Sequence, residues 1–232
     1  MEEIASSVKD LELEKGDEYR SFLHGDTEKD TVWRLGEAPE YDLVNRTFRS
    51  GRTKDWKPGS LEETVQNLVK TWEMELTHKT RIKDFKSIDA ENFSFSVNGG
   101  KTMTGEELLR AGSYNALLAS LEHGGANNPP LYKSSQETFE SSHEIFRGVF
   151  PNGFAWEVLE VFSGPPTVAF KWRHWGKMEG SFKEHNPNGK TAEMFGMAIA
   201  EVNDELKIGR LEVFYDPSQL LTQLTCPYNP KR

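Results

Sequence analysis

The chain has 232 residues, 28 basic against 37 acidic side chains, a formal net charge of −9 and 36 % hydrophobic residues. That length can bury one sizeable core, the charge has the wrong sign for binding nucleic acid through its phosphates, and no stretch approaches the roughly 20 apolar residues of a membrane span. One cysteine, Cys226, excludes an internal disulfide and a cysteine-built metal site.

The acidic excess sits at the start, where residues 1–30 carry ten acidic and four basic side chains. Residues 1–18 read as an acidic flexible tail, unable to bury enough apolar area to offset their ordering entropy. Glu2 and Glu3 follow Met1 and no apolar run follows them, so neither a secretory signal nor an Arg-rich transit peptide is expected. The expected location is the cytoplasm, or cytoplasm and nucleus by diffusion.

Aromatic residues return from Tyr19 to Trp56, and residues 19–58 read as an N-terminal extension packing on the main body. Within it, the spacing of Tyr41, Val44 and Phe48 predicts a short helix. Ser60 and Glu63 match a capping box opening a long helix, with Leu61, Val65, Leu68, Val69, Trp72 and Leu76 on one stripe. Glu73 and Glu75 flank that stripe, where glutamates usually pair with Lys or Arg.

Residues 93–97 alternate like a strand and end at Asn98-Gly99-Gly100. Thr104 and Glu107 form a second capping box, opening a helix that buries Leu108, Leu109, Tyr114, Leu117, Leu118 and Leu121. A loop is expected over 124–130. A third helix follows, with Phe139, His143, Phe146 and Phe150 on one face. The period then falls to two: strands are predicted over 154–162, 168–175, 191–202 and 206–215, followed by a short helix over 218–224. Helices first and antiparallel strands afterwards give an α+β pattern, with a main domain over 59–225 and a C-terminal tail over 226–232.

The strand half carries long motifs: Arg173-His174-Trp175-Gly176-Lys177-Met178-Glu179-Gly180, Asn186-Pro187-Asn188-Gly189-Lys190, Phe195-Gly196-Met197-Ala198-Ile199 and Leu211-Glu212-Val213-Phe214-Tyr215-Asp216. Earlier in the chain stand Tyr19-Arg20-Ser21-Phe22-Leu23-His24-Gly25, Lys70-Thr71-Trp72-Glu73-Met74-Glu75-Leu76 and Ser163-Gly164-Pro165-Pro166. Together they resemble the plant pathogen-related protein family, in the SnoaL-like branch of the nuclear transport factor two-like superfamily. The resemblance implies a cone, a strongly curved, mostly antiparallel sheet wrapped around about three helices, with a cavity opening at one end. It also implies pairing into a homodimer through the sheet. In SnoaL-like cyclases an Asp on the strand before the final hairpin exchanges protons with the substrate. The matching stretch here, Gly196-Met197-Ala198-Ile199-Ala200, has no carboxylate.

Within such a cone, candidate acids and bases are polar residues on apolar inward faces. His174 continues the face of Val168, Phe170 and Trp172, His143 shares a helical face with three phenylalanines, and Tyr215 follows Leu211 and Val213. Each could equally be a satisfied structural group. Trp72, Glu75, Phe170, Trp172, Met194, Met197 and Asp216 are the candidate ligand-binding residues, although Asp216 could simply cap the last helix. The small-sided face Ala192, Met194, Gly196, Ala198, Ala200 leaves space for helix packing or for a ligand. No spacing suits a metal, and no Gly-rich phosphate cradle or nucleophile elbow is present, so no cofactor is expected.

Two functions follow. One is a cavity protein for a hydrophobic small molecule in plant specialised or defence metabolism, a non-catalytic auxiliary acting with a partner enzyme such as a membrane-bound oxygenase. The other is a cofactor-independent cyclase or isomerase using His174 or His143 as acid/base.

Overall fold

The structure, a computed structural model, describes residues 17–123 and 131–226. The expected acidic tail up to residue 16, the expected loop over 124–130 and the tail beyond Cys226 lie outside the described residues.

Among the described residues, six α-helices and six strands form an α+β cone. Helix α1 is Asp42–Gly51 and α2 is Leu61–His78. Strands β1 (Ser94–Val97) and β2 (Met103–Thr104) precede α3 (Gly105–Ala111), α4 (Ser113–Leu118) and α5 (Phe139–Val149). Strands β3 (Ala155–Val161), β4 (Thr167–Lys177), β5 (Thr191–Val202) and β6 (Ile208–Tyr215) follow, and α6 (Ser218–Thr225) comes last.

The strands form one curved sheet in the order β2-β1-β6-β5-β4-β3. All neighbours are antiparallel except β1 and β6, which run parallel with Phe95 opposite Leu211. Alternation gives each long strand two faces. Val168, Phe170, Trp172 and His174 of β4 point inward with Ala192, Met194, Ala198 and Ala200 of β5, toward the helices. Gly196 lies opposite Trp172, and a Cβ there would stand 2.3 Å from the indole, so glycine lets that ring lie flat across β5.

Helix α2 is buried on nearly all sides, including polar Gln66, Lys70, Thr71 and Glu75. A helix buried all round runs through a core rather than along a surface. Its N-cap departs from the expected reciprocal box: Ser60 Oγ accepts from Glu63 N, but Glu63 Oε2 accepts from Gly59 N at 2.7 Å. The Thr104–Glu107 box is complete, and an unforeseen box joins Thr138 and Ser141 at the start of α5.

Two further boundaries differ from the sequence reading. The helix expected from residue 105 onward breaks at Gly112, whose φ of +83° is the left-handed region that favours glycine. The last strand starts at Ile208 rather than Leu206, because Asn203 Oδ1 accepts from the amides of Glu205 and Lys207 and curls the chain into a turn.

Parts of residues 17–58 pack on the outer face of β3 and β4, and others on α2 and the chain just after it. Tyr19 and Phe48 form a small cluster on that face with Ala155 and Trp175. Lys79, fully buried, bridges Glu28 of this segment and Glu75 of α2 at 2.8 and 2.9 Å.

Candidate active-site cavity

The inward faces of β4, β5 and β6 and the helices α2, α4 and α5 enclose a cavity of about 240 Å³. That exceeds the ~150 Å³ of an apolar protein cavity able to hold benzene. Its walls are mostly apolar, and Trp72, Phe170, Trp172 and Met194 are all part of them.

The polar groups gather at one end. Glu73 of α2 faces the cavity there with about a third of its side-chain surface accessible, and its Oε1 lies 3.8 Å from His174 Nε2. Burial raises the Glu73 carboxyl to about 7, against the opposing pull of Arg20 and Lys70. His174 is held from behind: its Nδ1 lies 2.8 Å from the Ala155 carbonyl. A carbonyl only accepts, so Nδ1 carries the proton and Nε2 presents a lone pair toward Glu73. Burial lowers the His174 imidazole to about 3, so the ring is neutral at pH 7. Phe154 stacks on it at 3.8 Å and Phe150 stacks on Phe154 at 4.4 Å, fixing its plane. The 3.8 Å gap is too long for a direct hydrogen bond. The proton of Glu73 and the lone pair of His174 therefore both remain open to a third group.

Tyr41 and Tyr114 border the same end. Burial raises both phenols, and Glu73 and Arg147 line the same cavity. Four more buried polar atoms belong to cavity-lining residues and find no hydrogen-bond partner among the described residues: Arg20 Nε, Lys70 Nζ, Trp72 Nε1 and His143 Nε2. Lys70 Nζ sits over the Phe48 ring at 3.0 Å, and burial, reinforced by Arg20, lowers it well below the ordinary lysine value.

The other residues singled out from the sequence are engaged elsewhere. His143 lines the cavity, but its Nδ1 donates to Phe139 O at 2.7 Å, and burial lowers the ring to about 4. Tyr215 lines it too, with its hydroxyl donating to Leu117 O at 2.8 Å. Glu75 is absent from the wall. Its carboxylate accepts from Lys79 Nζ, the amides of Lys86 and Ser87 and the Ser87 hydroxyl, and so pins the chain beyond α2. Asp216 is exposed, and its Oδ1 accepts from Ser218 N and Oγ at 2.9 and 2.7 Å just before α6. Met197 points outward, 44 % exposed, because it occupies the opposite phase of β5 from Met194.

The chain is 50 % identical over 218 residues to the pathogen-related protein of Hordeum vulgare, covering 91 % of this chain and 90 % of that one. It belongs to the pathogen-related protein family. No family model matches the chain. Among solved structures, a SnoaL-like protein from Jannaschia sp. CCS1 is similar at 13 % identity and a TM-score of 0.39, over 75 % of this chain and 99 % of that one. A protein with a ketosteroid isomerase-like fold from Catenulispora acidiphila is similar at 14 % identity and a TM-score of 0.38, over 69 % and 94 %.

Among the described residues, no group of three or more His, Cys, Asp or Glu side chains is arranged to hold a metal ion, and no helix is long and apolar enough to cross a membrane. The polar cluster that the sequence reading of this pathogen-related chain left unassembled is Arg20, Tyr41, Glu73, His78, Tyr114 and Arg147. A signal for Arg147 was present: it lies four residues after His143, on the cavity-facing side of α5.

Proposed function

We propose that this pathogen-related protein holds a hydrophobic small molecule of plant specialised or defence metabolism inside its cone. The observation that supports this is the partly open, mainly apolar cavity with a few polar side chains on its wall, the usual form of a small-molecule site. A holding role fits Tyr215, whose hydroxyl donates to a backbone carbonyl, while His143 donates from Nδ1 in the same way and keeps Nε2 unpartnered on the cavity wall. In this reading the protein is an auxiliary that presents its molecule to a partner enzyme, such as a membrane-bound oxygenase. Phe195, Met197 and Phe214, exposed together on the outer face of β5 and β6, support pairing of two copies through the sheet.

The test is native mass spectrometry of the purified protein after exposure to a plant metabolite extract. One discrete small-molecule adduct is expected, and the cavity-blocking substitution Ala198→Phe removes it. A spectrum without any adduct contradicts the reading.

One observation favours a second reading, a cofactor-free isomerase or cyclase. Glu73 supplies the carboxyl that β5 lacks, held near neutrality and facing an unprotonated imidazole nitrogen. A general acid or base works best with a pKa near the working pH. Here Glu73 gives or takes the proton and His174 orients the substrate. If the released molecule is chemically changed, Glu73→Gln is expected to slow that change by about 10²–10⁴-fold. An unchanged rate excludes Glu73 as the acid or base.

A further inference from the structure

The polar end of the cavity adjoins a second, outer hollow of about 930 Å³ beneath the N-terminal extension. Tyr41, Val44, His78 and Arg147 line both spaces and so form the neck between them. Arg147 is exposed there on α5, and its Nη2 lies 3.1 Å from His78 Nε2. A guanidinium only donates, so that nitrogen accepts and carries no proton. The other ring nitrogen, Nδ1, lies 3.1 Å from the Met74 carbonyl. Burial and the neighbouring Arg147 charge lower His78 to about 4, which keeps the ring neutral.

The partner of Arg147 is therefore an uncharged ring, and among the described residues it forms no ion pair. The other cations at this end differ. Arg20 is matched by Asp17 at 3.2 Å and Asn45 at 2.9 Å, and the Lys70 amine is held toward neutrality by burial. Of the acids lining the two hollows, Glu28 pairs with Lys79, Glu73 is raised by burial to about 7, and Glu37 and Glu40 form no ion pair with Arg147. Arg147 thus stands without an ion-pair partner among the described residues where both hollows meet, and its planar fork of donors matches a carboxylate. The inner volume suits a body somewhat larger than benzene, about the size of two fused rings.

Resting on the reading of the cavity as a small-molecule site, we propose that its ligand is an amphipathic organic acid whose carboxylate is held by Arg147 at the neck while its apolar body fills the inner cavity. The outer hollow accommodates whatever extends past the carboxylate.

The test compares three probes of one shape, 2-naphthoate, 2-naphthalenemethanol and 2-naphthylmethylammonium, by calorimetric titration of the full chain at pH 7. The acid is expected to bind about tenfold or more tightly than the alcohol, and the ammonium most weakly. Arg147→Gln erases the difference between acid and alcohol, and Arg147→Lys restores part of it. Equal affinities for acid and alcohol, or a preference for the ammonium, overturn the inference and leave the cavity reading standing. An Arg147→Gln variant that weakens acid and alcohol alike also overturns it, since the residue would then act only through the fold. Failure of all three probes to bind overturns the inference and the cavity reading together.

Discussion

Strands β3 and β4 present two faces that handle polar groups in opposite ways. On the outer face, Glu157 is completely buried and its carboxylate accepts from Thr53 N and Oγ1, Lys54 N and Arg173 Nη1, at 2.7 to 3.3 Å. Arg173 also donates to Gly51 O and Glu193 and lies over the Trp175 ring. One residue further along β4, on the inner face, His174 keeps a lone pair 3.8 Å from a carboxyl that burial holds near neutrality. A saturated buried network fixes structure, whereas buried polar groups without partners cost stability and call for another explanation. The outer face is a clamp that holds residues 51–54; the inner face leaves its polar groups open to the cavity.

The largest effect that could break this contrast is on the outer face. Glu157→Ala leaves Arg173 without its buried partner and is expected to cost about 3–5 kcal/mol. In a chain of this size that lowers Tm by on the order of 10 °C in a thermal melt. A loss below about 1 kcal/mol would show that the clamp is not saturated as described.

Acid pH sharpens the comparison from the inner side. His78, His143 and His174 all have folded-state values lowered from 6.5, to about 4, 4 and 3. The unfolded chain therefore binds more protons as pH falls through 6.5, and their contribution to stability is lost progressively toward pH 4. Glu73 works in the opposite sense. Its folded value is raised, so the folded state keeps a proton that the unfolded state has released between about pH 4.5 and 7. The chain is expected to lose stability on acidification from pH 6.5, and Glu73→Gln to make that loss steeper, as read from urea midpoints against pH. A variant with a shallower loss would reverse the sign assigned to Glu73.

Smaller effects are expected where space is free. Ala198→Leu adds three carbons at the cavity wall, and in a filled core such a change costs about 1–3 kcal/mol by overpacking. Here the cavity can take the extra volume, so a change under about 1 kcal/mol is expected in chemical denaturation. Met197→Ser, on the exposed phase of the same strand, is expected to stay within about 0.5 kcal/mol of the parent.

Much of the architecture was legible because it rests on local signals. The 3.6-residue stripe from Leu61 to Leu76 gave α2, and period two gave the four long strands. The parallel pairing of β1 with β6 was not legible, since a four-residue strand states its own alternation but not its neighbour. The site was harder for a related reason. Glu73 and Glu75 flank the same stripe, and only the surroundings distinguish them: Glu75 meets Lys79 and two amides supplied by the following loop, whereas Glu73 meets the open end of the cone. Met194 and Met197 show the limit from the other side. Both are apolar residues of β5, but their odd spacing puts them on opposite faces, a distinction the alternation carried all along.

The most direct test of the central claim is the titration of Glu73 itself, followed by ¹³C NMR of the side-chain carboxyl in glutamate-labelled protein and assigned with Glu73→Gln. One carboxyl resonance with a midpoint close to 7 is expected, missing from the variant. If every glutamate carboxyl instead titrates below about pH 5, the polar end of the cavity is an ordinary solvated surface and the contrast between the two faces of the sheet fails.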